Sequence, residues 1–254
     1  MHIGFEGKVV LITGASTGLG AAMADAFGSL GAKVVIHYNI SETSAKDVAA
    51  RIGKSGAATM VVQADVTKQE DVDRLVKTVT DEWGRIDVLI NNAGGLLRRA
   101  SVEEMTDEDF YRVVDLNITS TFRMCRAVVP LMKRQGGGNI INFSSVAARN
   151  GGASGAVLYA STKAFVSTFT HGLSKEVAAY EIRVNAIAPG VIDTPFHEKY
   201  TSPELMKTMA GGIALKRLGT ADEISGTAIY LASDALSSFT TGEVIDVNGG
   251  AWFA

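Results

Sequence analysis

The sequence predicts an α/β fold, a single doubly wound domain whose helices cover both faces of a seven-stranded parallel sheet. Two observations carry that expectation. Short apolar runs recur along the chain and are continuous rather than alternating, as strands buried on both faces require. Stretches of helical length and pattern lie between most of them, and strand–helix alternation is what parallel strands joined by crossovers produce. With 46% apolar and 20% charged side chains in 254 residues, the chain has ample core. No composition break divides it, so residues 1–254 are expected to form one domain.

The elements follow in order. Residues 8–13 make the first strand run and 18–30 the helix after it; 33–38 and 41–54 make the second pair, 59–64 and 69–83 the third. Residues 86–90 and 139–143 give the fourth and fifth runs. A helix over 157–180 precedes the sixth run, 183–187, and the seventh is 244–247. Residues 194–218 carry no strand signal and lie beyond the carboxyl end of the sixth run. They are a candidate substrate lid or a surface excursion.

Several classes are set aside early. Net charge is −3 with no long basic run, so nucleic acid is not an expected partner. The opening residues hold no apolar signal core and no run approaches a membrane span, so a cytoplasmic protein without membrane contact is expected. Cys125 is the one cysteine, in an apolar-periodic stretch, and reads as a small core residue. No metal-ligand cluster is visible.

Chemistry gathers where the runs end. Tyr159 and Lys163 stand four apart in Tyr-Ala-Ser-Thr-Lys, so a helix presents phenol and ammonium side by side. A phenol is a poor acid or base near neutrality, and a neighbouring cation can draw its pKa toward the working range. The pair alone also fits a solvated helix face. The first run ends in Thr13-Gly14-Ala15-Ser16-Thr17-Gly18-Leu19-Gly20. Glycines there let the backbone turn tightly and approach a pyrophosphate, and the next helix offers free N–H groups. Asp65, followed by Val66, can accept from an adenine amino group or cap the next helix. Asn91-Asn92-Ala93-Gly94 admits close backbone approach to a cofactor, or is a turn. Asn117 interrupts a helical pattern where Asn has poor propensity. Its neighbours Leu116 and Ile118 place it in a packed region, where its amide can bond to backbone or hold a water. Ser144-Ser145 follows the fifth run.

These motifs, followed by Pro189-Gly190 and Thr194, stand in the order found in the short-chain dehydrogenase/reductase family. The chain resembles that family over essentially all 254 residues. The resemblance implies a Rossmann fold and an NAD(P)-dependent oxidoreductase interconverting a ketone and a secondary alcohol. It implies Tyr159 as general acid in reduction and base in oxidation, with Lys163 lowering its pKa and binding the nicotinamide ribose. Ser145, rather than Ser144, would orient the substrate carbonyl, and Asn117 would anchor a water linking Lys163 to solvent. The dinucleotide would lie on Gly14, Ser16, Thr17, Gly18, Leu19 and Gly20, then on Tyr38, Asn39, Asp65 and Val66. Asn91, Ala93, Gly94, Pro189 and Gly190 would complete its bed beside Tyr159 and Lys163, with Ile192 and Thr194 at the carboxamide.

Cofactor and substrate are less sharply marked. The second run ends His37-Tyr38-Asn39-Ile40-Ser41, with no carboxylate to grip a ribose diol and repel a 2′-phosphate. NADP is favoured and NAD remains open, since Thr17 stands where many NADP-using relatives carry a base. The pattern is similar to 3-oxoacyl-[acyl-carrier-protein] reductases and to bacterial sugar and polyol dehydrogenases. Lys133 and Arg134 can meet an acidic carrier protein, whereas Tyr180 and Glu181 stand where a base and a glycine are common. Arg98 and Arg99 can meet an anionic substrate or form an exposed loop. His197, which with Lys199 opens the candidate lid, can touch a polar substrate or sit on the surface. A non-catalytic dinucleotide-binding regulator is the reading from another class, and the complete Ser/Tyr/Lys set speaks against it. The resemblance also implies a homotetramer, with helices over 107–134 and 157–180 paired across one interface. Trp252 and Phe253 near the terminus are expected against another subunit or against their own domain.

Overall fold

Continuous apolar runs become seven strands: β1 (Val9–Ile12), β2 (Lys33–Tyr38), β3 (Thr59–Gln63), β4 (Val88–Asn91), β5 (Gly138–Phe143), β6 (Ile182–Pro189) and β7 (Val244–Val247). The computed structural model describes residues 3–253, apart from the side chains of residues 197–199. The strands form one sheet in the order β3-β2-β1-β4-β5-β6-β7, every pair parallel. The connecting helices are α1 (Gly18–Ser29), α2 (Glu42–Gly53), α3 (Gln69–Trp83), α4 (Asp107–Val114) and α5 (Ser120–Gln135). Then come α6 (Ala147–Asn150), α7 (Val157–Val177), α8 (Pro195–Tyr200), α9 (Pro203–Gly212), α10 (Ala221–Ala232) and α11 (Asp234–Ser237).

The strand period sorts the core into two layers. Val10 and Ile12 of β1 pack with Met23 and Phe27 of α1 and with Ile224 and Leu231 of α10. Val9 and Leu11 face the other way, onto Leu75 and Val79 of α3 and Val128 and Met132 of α5. Each fully buried side chain of this kind contributes about 1.5–3 kcal/mol. A sheet covered on both faces therefore has to read as an unbroken apolar run.

Three expectations shift. The helical stretch 107–134 is two helices, because a π-turn, Asp115–Thr119, interrupts it. The stretch 157–180 leaves α-geometry at Val177 and closes in a 3₁₀ turn, Ala178–Tyr180. Residues 194–218, which carry no strand signal, fold into α8 and α9, the latter capped by the Ser202 hydroxyl accepting from the Leu205 amide. The strand order reverses between β1 and β4. In such sheets the crevice beyond the carboxyl ends at that switch point binds the ligand.

Candidate active site

The loop after β1 is held from below by the loop after β4. The Thr13 hydroxyl accepts from the amides of Asn92 and Ala93, both at 3.0 Å, and donates to the Ile90 carbonyl at 3.3 Å. Asn92 Nδ2 donates back to the carbonyls of Thr13 and Gly14, at 2.9 and 3.1 Å. Gly14 has φ +65°, and a Cβ there would stand 3.2 Å from Ala93 Cα. A Cβ on Gly20 would stand 2.2 Å from the Gly14 carbonyl oxygen, so α1 packs directly on the loop. Thr17 at the N-cap makes no side-chain cap bond, and the opening N–H groups of α1 remain for an anionic ligand. This closely fitted glycine cradle suits a dinucleotide pyrophosphate.

The second half of the site is built from β5, α7 and the π-turn. Ser144 and Ser145 follow Phe143 but turn apart. Ser144 Oγ donates to the Lys163 carbonyl at 3.0 Å and meets Ser167 Oγ at 2.8 Å, a buried brace. Ser145 Oγ accepts from the Ala147 amide at 3.1 Å and stands close enough to the Tyr159 phenol to draw its pKa down. Lys163, one turn beyond Tyr159 on α7, is 5% exposed. Its Nζ donates to the Phe143 carbonyl at 2.8 Å and lies 5.7 Å from the centre of the Tyr159 ring.

Asn117 explains the π-turn. Its Oδ1 accepts from the Gly95 amide at 3.0 Å, and its Nδ2 donates to the carbonyls of Gly95 and Val113 at 2.8 and 2.9 Å. The extra residue in the turn aims this buried amide at the loop after β4, a common use of such bulges. A Cβ on Gly94 would stand 2.9 Å from Asn117 Oδ1 and 3.1 Å from Lys163 Nζ. Backbone without a side chain is what lets Asn117 and Lys163 approach the same point.

Burial dominates the electrostatics of the pair. Burial pushes the Tyr159 phenol up to about 12, against the pull of the nearby Ser145 hydroxyl. Burial also brings the Lys163 ammonium down to about 8. Desolvation, rather than attraction between the pair, sets both values. Near neutrality the phenol holds its proton and the lysine its charge. The site is therefore poised as a proton donor beside a cation.

A cavity of about 670 Å³ joins the two halves. Gly14, Ser16, Thr17, Gly18, Leu19 and Asn39 line one end, and Ala93, Gly94, Pro189, Gly190, Ile192 and Thr194 the middle. Ser145, Tyr159 and Lys163 line the cavity too, together with Leu96, Phe196, Met209 and Ile213. The excursion at 194–218 thus supplies cavity wall, and the Phe196 and Tyr159 rings are 6.0 Å apart. Its apolar contribution carries no motif, so sequence reading could not single out Leu96, Met209 or Ile213.

Several expected site residues lie outside the lining. Asp65 Oδ1 accepts from the amide and hydroxyl of Thr67 at 3.0 and 2.6 Å within its own loop, while α3 begins after Lys68 without a side-chain cap, and Val66 is core. Asn91 Nδ2 donates to Asn142 Oδ1 at 2.9 Å and to Cys125 Sγ at 3.3 Å, beneath the cavity floor. Cys125 is buried, its thiol pushed up to about 12 by burial, an inert core group. Tyr38 packs on the core, and Gly20 and Asn117 act from behind the wall. Arg98 pairs with Asp109 at 2.6 Å. Arg99 reaches the lining and donates to the carbonyls of Tyr200 and Ser154 at 2.8 and 3.0 Å. The side chains of His197 and Lys199 lie outside the described residues. Among those described, no group of His, Cys, Asp or Glu gathers as a metal site.

Comparison with known proteins agrees with this geometry. A family model described as Enoyl-(Acyl carrier protein) reductase matches residues 14–251. A 3-oxoacyl-[acyl-carrier-protein] reductase from Synechocystis is 41% identical over 96% of this chain and 96% of its own. A 3beta-hydroxysteroid dehydrogenase 1 from Eggerthella lenta is 39% identical over 98% of this chain and 95% of its own. A solved short-chain type dehydrogenase/reductase from Mycobacterium marinum superposes with TM-score 0.94 at 33% identity, covering 100% of this chain and 98% of that one. A 7 alpha-hydroxysteroid dehydrogenase complexed with NADH and 7-oxo glycochenodeoxycholic acid superposes at 0.92 with 32% identity, covering 98% and 96%. The chain belongs to the short-chain dehydrogenase/reductase family. It is an oxidoreductase that uses a nicotinamide dinucleotide on a carbonyl–alcohol pair. No helix among the described residues is long and apolar enough to cross a membrane.

Proposed function

We propose that this protein reduces the keto group of an apolar, acyl-like substrate with NADPH, in the manner of a 3-oxoacyl reductase. The observation that carries this reading is the protonated Tyr159 phenol beside Ser145, in a cavity that Leu96, Phe196, Met209 and Ile213 also line. When bound, the nicotinamide supplies the hydride. Ser145 orients the carbonyl, Tyr159 gives it a proton, and Lys163 holds positive charge beside the phenol as negative charge develops. Asn117 fixes the loop carrying Gly94 and Gly95, and so holds the distance between that loop and Lys163. The cradle of Gly14, Gly18 and Gly20, with Ile192 and Thr194 opposite, would bind the dinucleotide.

A polyol would need many polar partners in its pocket, and the apolar wall disfavours the sugar dehydrogenase alternative. Docking of an acidic carrier protein is also disfavoured. Lys133 Nζ sits 4.0 Å over the Tyr180 ring, and Glu181 adds negative charge beside it, so that surface is no clean basic patch. A free thioester or a small apolar ketone is the better substrate. Following nicotinamide absorbance with a short 3-oxoacyl thioester, and in parallel with aldoses and polyols, tests this reading. Turnover is expected with the thioester alone, and turnover confined to the sugars would overturn it.

NADPH is favoured because, among the described residues, no carboxylate lines the cavity beside Asn39 and Ser41. The nearby Glu42 is paired with Lys46 at 2.6 Å. Placing a carboxylate there by Asn39→Asp is expected to shift the ratio of kcat/KM toward NADH by about tenfold or more, the cost of a like-charge contact. An unchanged ratio would mean that the 2′-phosphate lies elsewhere. A homotetramer fits the exposed Phe110, Tyr111 and Phe122 on α4 and α5, Phe165 on α7, and Phe253 near the terminus.

A further inference from the structure

His37, in β2, is 1% exposed, and the reaction described above makes no use of it. Both ring nitrogens are engaged. Nδ1 lies 3.0 Å from the Gly14 amide, and Nε2 lies 2.9 Å from the Ala64 carbonyl. An amide can only donate and a carbonyl can only accept, so the geometry dictates the tautomer. Nδ1 offers its lone pair to Gly14, and Nε2 carries the proton toward Ala64. The His37 backbone carbonyl also accepts from the Ala15 amide at 2.9 Å. One residue thus ties the first turn of the glycine loop to the end of β3.

We infer that His37 is a positioning residue for dinucleotide binding, a neutral imidazole that fixes the Gly14 peptide so that the loop is preorganised for the pyrophosphate. The Gly14 carbonyl is already taken by Asn92. His37 holds the other side of the same residue, whose positive φ leaves the backbone otherwise free to turn. Preorganisation of this kind acts on affinity, because the loop then orders without further cost on binding. It also makes the loop acid-sensitive, since a doubly protonated ring has no lone pair for Gly14. Asp65 at the end of β3 and Asp71 in the first turn of α3 are the carboxylates whose fields reach the ring, and both favour its protonation. Burial outweighs them and holds its pKa below the ordinary histidine value.

The test compares His37→Leu, which fills the space without nitrogens, with His37→Asn, whose Oδ1 can replace Nδ1. The readouts are the dissociation constant for NADPH by fluorescence titration, and kcat at saturating NADPH. The leucine variant is expected to bind NADPH about tenfold or more weakly, with kcat within about twofold of the parent, and asparagine is expected to recover most of the affinity. Parent affinity should fall on acidification below the ordinary histidine range, while the asparagine variant stays flat. Leucine binding as tightly as the parent would overturn the inference, and so would asparagine performing no better than leucine. If the leucine variant fails to fold, the pH comparison between parent and asparagine variant decides alone: parallel profiles would refute the role. Because the first readout is binding, it stands apart from the identity of the carbonyl substrate.

Discussion

Tyr159→Phe is expected to lower turnover by about 10³-fold while leaving NADPH affinity within about twofold. The substitution keeps the ring and its packing near Phe196. It removes the one proton the site holds ready for the substrate, since the phenol, pushed up to about 12 by burial, is fully protonated near neutrality. Positioned acid–base catalysis is typically worth 10²–10⁴-fold, and the described neighbours of the phenol are poor replacements. The Ser145 hydroxyl is a far weaker acid, and the Lys163 ammonium is turned to the Phe143 carbonyl. Single-turnover reduction at saturating cofactor and substrate isolates the chemical step. A variant turning over near the parent rate would remove Tyr159 from the mechanism. The same protonation state gives the two directions opposite pH trends. Reduction needs the acid present at neutrality, whereas oxidation needs phenolate and should speed up as pH rises.

The fold was legible because burial on both faces leaves a strand such as Val9–Ile12 no polar position, and because a glycine cradle needs its glycines at fixed offsets. The site was legible where side chains act through local spacing, as with Tyr159 and Lys163 on one helix face. It was not legible where contacts decide. Ser144 and Ser145 are identical in type, and only the chain's path after Phe143 turns one toward α7 and the other toward the phenol. Asn117 in a helical pattern signals something unusual, but the π-turn exists because Gly95, 22 residues away, accepts and donates to that amide. His37 reads as an ordinary strand residue, and its partner Gly14 is 23 residues distant. The state of the phenol was not legible for a related reason. Helical neighbours fix proximity, whereas desolvation depends on everything packed around them, and here it outweighs proximity.

Lys163→Met is expected to lower turnover by about 10²-fold or more without destabilising the fold at neutral pH. Burial brings the Lys163 pKa from 10.5 down to about 8, and a depression of that size costs about 3 kcal/mol of folding free energy. The sign follows from proton counting. Between about pH 8 and 10.5 the unfolded chain binds a proton that the folded chain has released, so parent stability rises with pH through that window. Below pH 8 both states are charged and the full cost is present. Methionine carries no charge to desolvate, which offsets the loss of the hydrogen bond to Phe143, worth about 1–3 kcal/mol when a buried acceptor is left unpaired. Thermal unfolding without added dinucleotide should therefore give a variant at least as stable as the parent at pH 7, with the difference moving in the parent's favour by pH 10. That pattern marks a residue kept for chemistry at the expense of stability. A variant strongly destabilised at pH 7, with a gap independent of pH, would instead make Lys163 a structural brace between α7 and β5.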